Sequence, residues 1–295
     1  MILLILALLL LGSALGLGLG RMLSTRLIGF GAALISAGAA VLAALGQWTI
    51  AADGMLVLLR LETLEYSLML FPAAPERALA VLLLGASAAI FLLLSIAIAP
   101  AIREFGAIFG WALLALAATF LSLLTPITSA LLPLAWAVAA IGGYSAVRAS
   151  GALNQDERAP QSLILGVLGA AALFGAQAGA TTALLGAELP PWLSALALLV
   201  AVLAAGGVPP LSGARAEAPH VPAPLGAFLY AVIQPTLTLG ALLRFVTALP
   251  ILPTSWSVVG CGGWGAWCAR RCGRRATGAA TARGAGHGWP ASRRR

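Results

Sequence analysis

Apolar runs of about 20 residues recur along this 295-residue chain, and they constrain its fold more than any other feature. A helix needs roughly 20 apolar residues to cross the hydrocarbon core of a bilayer. Hydrophobic residues make up 61% of the chain and charged residues only 9%, whereas soluble domains average about 25% charged residues. The pattern therefore predicts an all-α integral membrane protein and excludes a soluble enzyme.

Charged, proline-rich or glycine-rich breaks separate eight apolar segments, which predicts a bundle of about eight transmembrane helices. The predicted spans are 2–20, 27–47, 78–99, 105–124, 127–147, 162–187, 191–208 and 224–243. The first span could instead be a signal peptide, but its positive charges, Arg21 and Arg26, follow the apolar run rather than precede it. Arginines in alternate loops, six against three, favour an extracytoplasmic N-terminus in the inner (plasma) membrane.

Composition divides the chain into four parts. Residues 1–54 hold two N-terminal helices, 55–77 form an outer connecting segment, 78–250 a helical core, and 251–295 a tail rich in Gly, Ala and Arg. The connecting segment is apolar but interrupted by charges, so it fits either a strand pair or an interfacial helix. Glycines within the spans predict close packing of helix backbones in lipid; they are Gly31, Gly38, Gly142, Gly143, Gly166, Gly169, Gly175 and Gly179.

A dense group of helix breakers joins the seventh and eighth spans. Gly206-Gly207-Val208-Pro209-Pro210 is followed by Pro219, Pro222 and Pro224. At membrane depth, such a sequence predicts a discontinuous helix near 203–224, because irregular backbone is tolerated there only when packed in protein or lining a cavity. A loop at the membrane surface is the alternative.

Three blocks resemble one protein family in their order and spacing. They are 208–225 leading into Leu242-Leu-Arg-Phe245, the helix Leu134 to Tyr144 around Trp136, and the Gly-rich helix Leu163 to Gly175. Together, over about residues 55–245, they resemble the antiporter-like, proton-translocating membrane subunits of respiratory complex I (NADH:quinone oxidoreductase), Mrp antiporters and membrane-bound hydrogenases. The resemblance implies a subunit whose quinone contact and electron-transfer cofactors belong to partner subunits, with no cofactor on this chain.

The departures from the family pattern fall on its ionisable relay residues. Ala137 stands where the family has a glutamate, and Gln161, Ala205 and Gln234 stand near its lysines. Ser212 replaces the histidine of the turn in the broken helix. The chain contains no lysine at all, so these substitutions do not depend on the alignment register. Pro235, directly after Gln234, is expected to break the eighth helix.

The predicted spans contain no Asp, Glu, Lys, Arg or His. A proton relay needs titratable groups in the membrane interior. The polar residues inside the spans can hold water or join helices but keep their charge state near neutral pH, and interhelical hydrogen bonding is the expected role of each; they are Tyr144, Gln177, Thr181, Thr182, Gln234, Thr236 and Thr238. Gln177 is also a possible channel residue, as is Ser212 in the loop. Glu217 and His220 could titrate as a pair beside the broken helix, or could form a loop ion pair with Arg215.

The tail accounts for the net charge of +8, because eight of the 17 arginines follow residue 269. Its three cysteines, Cys261, Cys268 and Cys272, have a spacing that does not suit a zinc site, so no metal is expected. The tail could bind anionic lipid head groups. Gly, Ala, Arg and Pro share codons made only of G and C, so a shifted reading frame in a GC-rich gene would also give this composition. In that case the native chain would continue into further helices near Val258.

These observations predict a divergent, truncated membrane subunit of a respiratory-type complex, with no catalytic residue of its own. The expected partners are the lipid bilayer and other membrane and peripheral subunits, and no nucleic acid. The alternatives are a small-molecule permease with its site at the broken helix, and a non-catalytic membrane scaffold.

Overall fold

A computed structural model describes residues 1–20, 22–45, 56–60, 67–70, 74–97, 106–125, 129, 131–150, 159–180, 191–206 and 222–248. Its elements are α1 (Ile2–Leu19), α2 (Thr25–Leu45), β1 (Leu56–Arg60), β2 (Ser67–Leu70), α3 (Ala74–Ala97), α4 (Gly106–Leu124), α5 (Leu131–Ala149), α6 (Ala159–Ala180), α7 (Pro191–Gly206) and α8, which runs as Ala223–Ala227, Phe228–Ile233 and Gln234–Ala248. Met1–Arg244 forms one compact unit and Phe245–Arg295 a second, of which only residues 245–248 are described.

Six helices among the described residues are long and apolar enough to cross a membrane. They are α1, α2, α4, α5, the Arg77–Ala97 part of α3 and the Ala223–Leu243 part of α8. The apolar stretch of α6 is shorter, Leu163–Gln177, and α7 has 16 residues. The prediction of an all-α membrane protein is confirmed, and each predicted span corresponds to one helix.

The connection between α2 and α3 contains a strand pair. β1 and β2 are antiparallel, with Leu56 opposite Leu70 and Arg60 opposite Ser67. The register shifts between Val57 and Leu59, which is typical of a β-bulge. The described part of this connection is therefore a strand pair and not an interfacial helix.

Helix α8 changes its hydrogen-bonding pattern partway along its length. Phe228–Ile233 is π-helical, and the N–H of Gln234 bonds to the carbonyl oxygen of Leu229. Proline has no N–H to donate to the preceding turn, and π-helical turns are one way a helix accommodates such a defect. The expectation that Pro235 breaks the helix is wrong, because α8 continues through it to Ala248. The discontinuity predicted near 203–224 falls mostly on residues 207–221, which lie outside the described part of the chain.

Helix α4 lies at the centre of the compact unit. Its span is 78% buried, whereas no other candidate span exceeds 44%. It packs against α1, α2, α3, α5 and the π-helical segment of α8. Among the remaining contacts, neighbours along the chain pair as α1 on α2, α2 on α3, α5 on α6 and α6 on α7, and α8 also packs against α3.

Glycines on α1 and α4 bring these two helices into backbone contact. A Cβ atom added at Gly16 would lie 2.9 Å from the Cα of Gly110, and one added at Gly110 would lie 2.7 Å from the backbone nitrogen of Leu17. Gly106 meets Gly20 one turn away in the same manner. Ser13 strengthens the contact, since its buried hydroxyl donates to the carbonyl oxygen of Gly110 at 2.9 Å. Backbones approach this closely in lipid only where side chains are small.

Four of the glycines singled out in the sequence show two contrasting environments. A Cβ added at Gly142 would lie 2.9 Å from the backbone nitrogen of Ala115 on α4, and one at Gly166 would meet the Cβ of Ala140 on α5. Gly31 and Gly38 on α2 have no atom within 4 Å of the added Cβ. Packing therefore explains Gly142 and Gly166, but it does not explain Gly31 or Gly38.

Phe91 joins three helices in the core. Its ring on α3 meets that of Phe109 on α4 edge to face, with centroids 6.2 Å apart. Its centroid lies 5.0 Å from that of Phe228, the first residue of the π-helical segment. All three rings are fully buried. The cluster holds α8 against α3 and α4, and so fixes the side of α8 that faces α5.

Candidate functional site

A cavity of about 80 Å³ lies between α5, α6, α7 and α8. We call it the α5–α8 cavity. Its walls include Trp136, Tyr144, Gly166, Ala204, Tyr230 and Gln234. Each of the four helices contributes to the lining, so the cavity exists only in the assembled bundle.

Small residues on three of the helices create the space. Ala139, Ala140 and Gly143 of α5 form one wall, with Gly166 of α6 and Ala204 of α7 beside it. The larger side chains of α8 line the opposite side. The cavity is partly open to the outside of the bundle, and concave sites between the helices of a bundle are a common place for small molecules to bind.

Gln234 lines the α5–α8 cavity and carries an unsatisfied polar group. The residue follows directly on the π-helical segment and is half-buried. Its side-chain Oε1 is buried and has no hydrogen-bond donor among the described residues. Its backbone carbonyl accepts a bond from the hydroxyl of Thr238 at 2.8 Å. Buried acceptors in proteins are nearly always paired, so this oxygen indicates a missing donor.

Four positions are expected, from the family resemblance, to replace relay residues. The helices that carry them all border this cavity, but only one of the four residues lines it. Gln234 does so directly, whereas Ala137 and Ala205 each lie next to a lining residue, Trp136 and Ala204 respectively. Gln161 lies on α6, five residues before Gly166. Ser212, Glu217 and His220 lie outside the described residues, as does their predicted arrangement.

Gln177 makes a hydrogen bond between elements, away from the cavity. Only 5% of its surface is exposed. Its Nε2 donates a hydrogen bond to the carbonyl oxygen of Ser129 at 3.1 Å. The same carbonyl accepts the N–H of Leu132 at 3.1 Å. Gln177 therefore ties the end of α6 to the start of α5, which is a structural role.

Two of the threonines bond within their own helix instead. The hydroxyl of Thr236 donates to the carbonyl oxygen of Val232 at 2.6 Å, and that of Thr238 to Gln234. This back-bonding to the preceding turn is common for Ser and Thr inside helices. Thr236 and Thr238 therefore bond within α8, and not between helices as was expected from the sequence. Thr181 and Thr182 lie outside the described residues.

Charged residues in the described helices all lie close to a helix end. They are Arg26 of α2, Glu76 and Arg77 of α3, Arg148 of α5 and Arg244 of α8. None of them lines the α5–α8 cavity. The described residues also contain no group of three His, Cys, Asp or Glu side chains that could hold a metal ion. The cavity can accept hydrogen bonds, and no Asp, Glu, Lys, Arg or His is among its described lining residues.

Comparison with known proteins yields a fold but no family. No protein-family model matches the chain, and no curated protein matches it. Among solved structures, it is similar to a chain of respiratory complex I from Thermus thermophilus with bound aureothin, at 20% identity and a TM-score of 0.52. The match covers 81% of this chain and 52% of that chain, so this chain spans about half the length of its structural neighbour. The protein therefore shares its fold with a chain of respiratory complex I.

Proposed function

We propose that this chain is a membrane subunit of an NADH:quinone oxidoreductase-like complex, or of a related membrane-bound hydrogenase. The observation that carries the proposal is the fold, which matches a chain of respiratory complex I over 81% of this chain. The resemblance of its sequence blocks to antiporter-like subunits supports the same assignment. In this proposal the chain has antiporter-like ancestry and a structural role.

The cavity lining supports the proposal that the chain has no proton relay among its described residues. Proton transfer through a bilayer needs groups whose protonation alters that of their neighbours. Where the helices of the former relay converge, the chain offers the amide of Gln234, which neither gains nor loses a proton near neutral pH. The charged residues of the described helices lie at helix ends. The subunit therefore contributes packing surface and leaves proton transport to other chains.

The proposal places electron transfer on partner subunits. An iron–sulfur cluster needs cysteine ligands and a haem needs an axial ligand, and residues 1–250 contain no cysteine and only one histidine, His220. Quinone would meet the complex through those partners. The chain would lie in the inner membrane as a multi-pass subunit with an extracytoplasmic N-terminus.

A small-molecule permease is the second candidate, and the α5–α8 cavity is the observation that favours it. Transporters bind their substrates between helices, close to irregular helical segments, and this cavity borders the π-helical segment of α8. Its volume of about 80 Å³ limits a fully enclosed substrate to a few non-hydrogen atoms. A permease would transport its substrate without other subunits, whereas a subunit of a complex would co-purify with its partners.

Purification from native membranes tests the subunit assignment. A tagged chain, extracted in a mild detergent, is expected to bring with it flavin- and iron–sulfur-containing subunits in near-stoichiometric amounts, together with NADH- or hydrogen-oxidising activity. An unrelated multi-pass protein with the same tag, produced at the same level, is the control and should bring neither. Recovery of the chain alone, with the flavin and iron–sulfur subunits left in the unbound fraction, would reject the proposal.

A further inference from the structure

We propose that the α5–α8 cavity is a hydrated site whose water is bound by Gln234. The inference rests on the geometry of the cavity and does not depend on the proposed function. It assigns to the interior of the bundle a polar binding site for a small neutral hydrogen-bond donor. The ligand that meets this description inside any cell is water.

The side chain of Gln234 provides a hydrogen-bond acceptor that has no partner in the described part of the chain. The Oε1 of Gln234 is buried and has no donor among the described residues. Leaving such an oxygen unpaired costs on the order of 1–3 kcal/mol. A water molecule removes that cost, because it can donate to Gln234 and bond to a second polar group at the same time. Tyr144 and Tyr230, which also line the cavity, carry hydroxyls of this kind.

The α5–α8 cavity is large enough to hold water. A buried water needs roughly 10–15 Å³ measured in this way, and the cavity provides about 80 Å³. Several waters therefore fit, which lets them bond to one another as well as to the walls. A site with room and polar partners is filled by water, whereas a purely apolar cavity stays dry.

Helix α8, which forms one wall of the cavity, lacks a backbone hydrogen-bond donor at Pro235. Pro235 has no N–H, so the turn before it has one backbone donor fewer than a regular helix would supply. That turn is π-helical and contributes Tyr230 and Ile233 to the cavity. In membrane proteins, ordered waters are among the groups that satisfy the backbone around such a proline. Backbone and side chain thus favour water on the same side of α8.

A second cavity in the bundle gives the matched contrast. It has a volume of about 100 Å³ and lies between α1, α4 and α5, where every lining residue is Leu, Ala or Val. Ala135 lines this apolar cavity and Ala139 lines the α5–α8 cavity. The two alanines are one turn apart on α5 and have the same exposure, 2%. They differ mainly in the chemistry of the cavity they face.

Thiol reactivity at these two positions tests the proposal. In a chain whose three cysteines, all in the tail, are replaced by serine, Ala139→Cys and Ala135→Cys each introduce a single thiol. The probe is methyl methanethiosulfonate, a small neutral reagent that crosses lipid and reacts with the thiolate. Because a thiolate is disfavoured in apolar surroundings, we expect Ala135→Cys to react about tenfold more slowly than Ala139→Cys or slower. Mass spectrometry of the intact protein, in liposomes, follows the rate.

Adding Gln234→Leu to the Ala139→Cys protein tests the residue that binds the water. The rate should fall towards that of Ala135→Cys, since the leucine removes the acceptor. Equal rates at the two alanines would overturn the hydrated site, and an unchanged rate in the double variant would overturn the role of Gln234. Two controls apply to every protein: the thiol must react fully in SDS, and the protein must elute as a single species in detergent. If the Ala139→Cys protein fails either control, Ala140→Cys on the same wall of the cavity replaces it and must pass both.

Discussion

Gly16 and Gly110 show what single residues contribute to this bundle. Lipid tails are as apolar as the side chains they contact, so helices in a bilayer associate mainly through packing and hydrogen bonds. Each of these glycines lies closer to the opposite backbone than a Cβ atom can approach. The hydrogen bond from Ser13 to Gly110 forms only because the two backbones are this close. The α1–α4 contact therefore depends on the absence of two methyl groups.

Gly16→Ala should weaken the bundle measurably. The added Cβ would lie 2.9 Å from the Cα of Gly110, so the helices must separate, and overpacking of this kind costs about 1–3 kcal/mol. Gly18→Ala is the matched control, because Gly18 is on the same helix and nothing lies within 4 Å of its added Cβ; its effect should stay within about 0.5 kcal/mol. The free energy of unfolding, measured by circular dichroism in mixed micelles, compares the two. Equal losses of stability would show that the α1–α4 contact is not as close as described.

The sequence contained the signal for this contact, and our reading of it did not use that signal. Gly16 of α1 and Gly20, directly after its end, are four residues apart, as are Gly106 and Gly110 on α4. Small residues at this spacing mark helix interfaces in membranes. Gly31 and Gly38, which the sequence analysis did select, lie seven residues apart on an open face of α2. For the α1–α4 contact, the four-residue spacing of the glycines was the informative signal.

At the scale of helices, Phe91 controls how α8 sits against the rest of the bundle. Its ring contacts Phe109 on α4 and Phe228 on α8, and all three are buried. Aromatic pairs of this kind add about 0.5–1.5 kcal/mol beyond the burial of their area. The π-helical segment begins at Phe228, so the irregular part of α8 is anchored at its first residue.

Phe91→Ala should destabilise the protein by about 3 kcal/mol, since it removes a buried ring and leaves a cavity between three helices. Leu93→Ala, two residues away on the same helix, is the control. Leu93 is 59% exposed, so lipid can replace the lost side chain and the effect should stay below about 1 kcal/mol. Thermal unfolding in detergent, followed by tryptophan fluorescence, measures both variants. A Phe91→Ala protein as stable as Leu93→Ala would contradict the proposed anchoring of α8.

Helix positions were predictable because local chemistry sets where helices end. The first span was predicted as 2–20 and the seventh as 191–208, and the structure has Ile2–Leu19 and Pro191–Gly206. Charged residues, prolines and glycines mark these ends in the sequence. The π-helical segment was not predictable, because Pro235 by itself indicates a break. Whether the helix continues depends on contacts with α3 and α4 that lie far away in the sequence.

At the scale of the whole molecule, the arrangement of charge leads to a prediction about transport. Described helices keep their charged residues at their ends, and the cavity between α5 and α8 has no ionisable lining residue near neutral pH. Proteoliposomes containing this chain alone, with an imposed pH gradient, should therefore show the same proton leak as empty liposomes. A pH-sensitive dye inside the vesicles measures the leak. A protonophore added at the end must collapse the gradient, which shows that the vesicles are sealed; leak clearly above that of empty liposomes would contradict the absence of a relay.

The cavity itself was only partly predictable. Gln234 was recognisable as a polar residue in an apolar span, and its departure from the family pattern was visible in the sequence. Its unpaired oxygen and the cavity that the residue lines were not, because the cavity requires α5, α6 and α7 to bring small residues to one place. Gly143, Gly166 and Ala204 could be assigned only to helix packing. A void is a property of the assembled helices and leaves no local signal in the chain.

The contact between α1 and α4 also affects how the protein is made. A ribosome delivers helices to the bilayer in sequence order, and α2 and α3 can pair as a hairpin as soon as both have been synthesised. Helix α1 packs mainly against α4 and less against α2, so its glycine face remains against lipid until Gly106–Leu124 has left the translocon. Folding of this half of the protein therefore waits for its fourth helix, and the exposed glycine face of α1 is the part that an insertase or a membrane chaperone would meet during that delay.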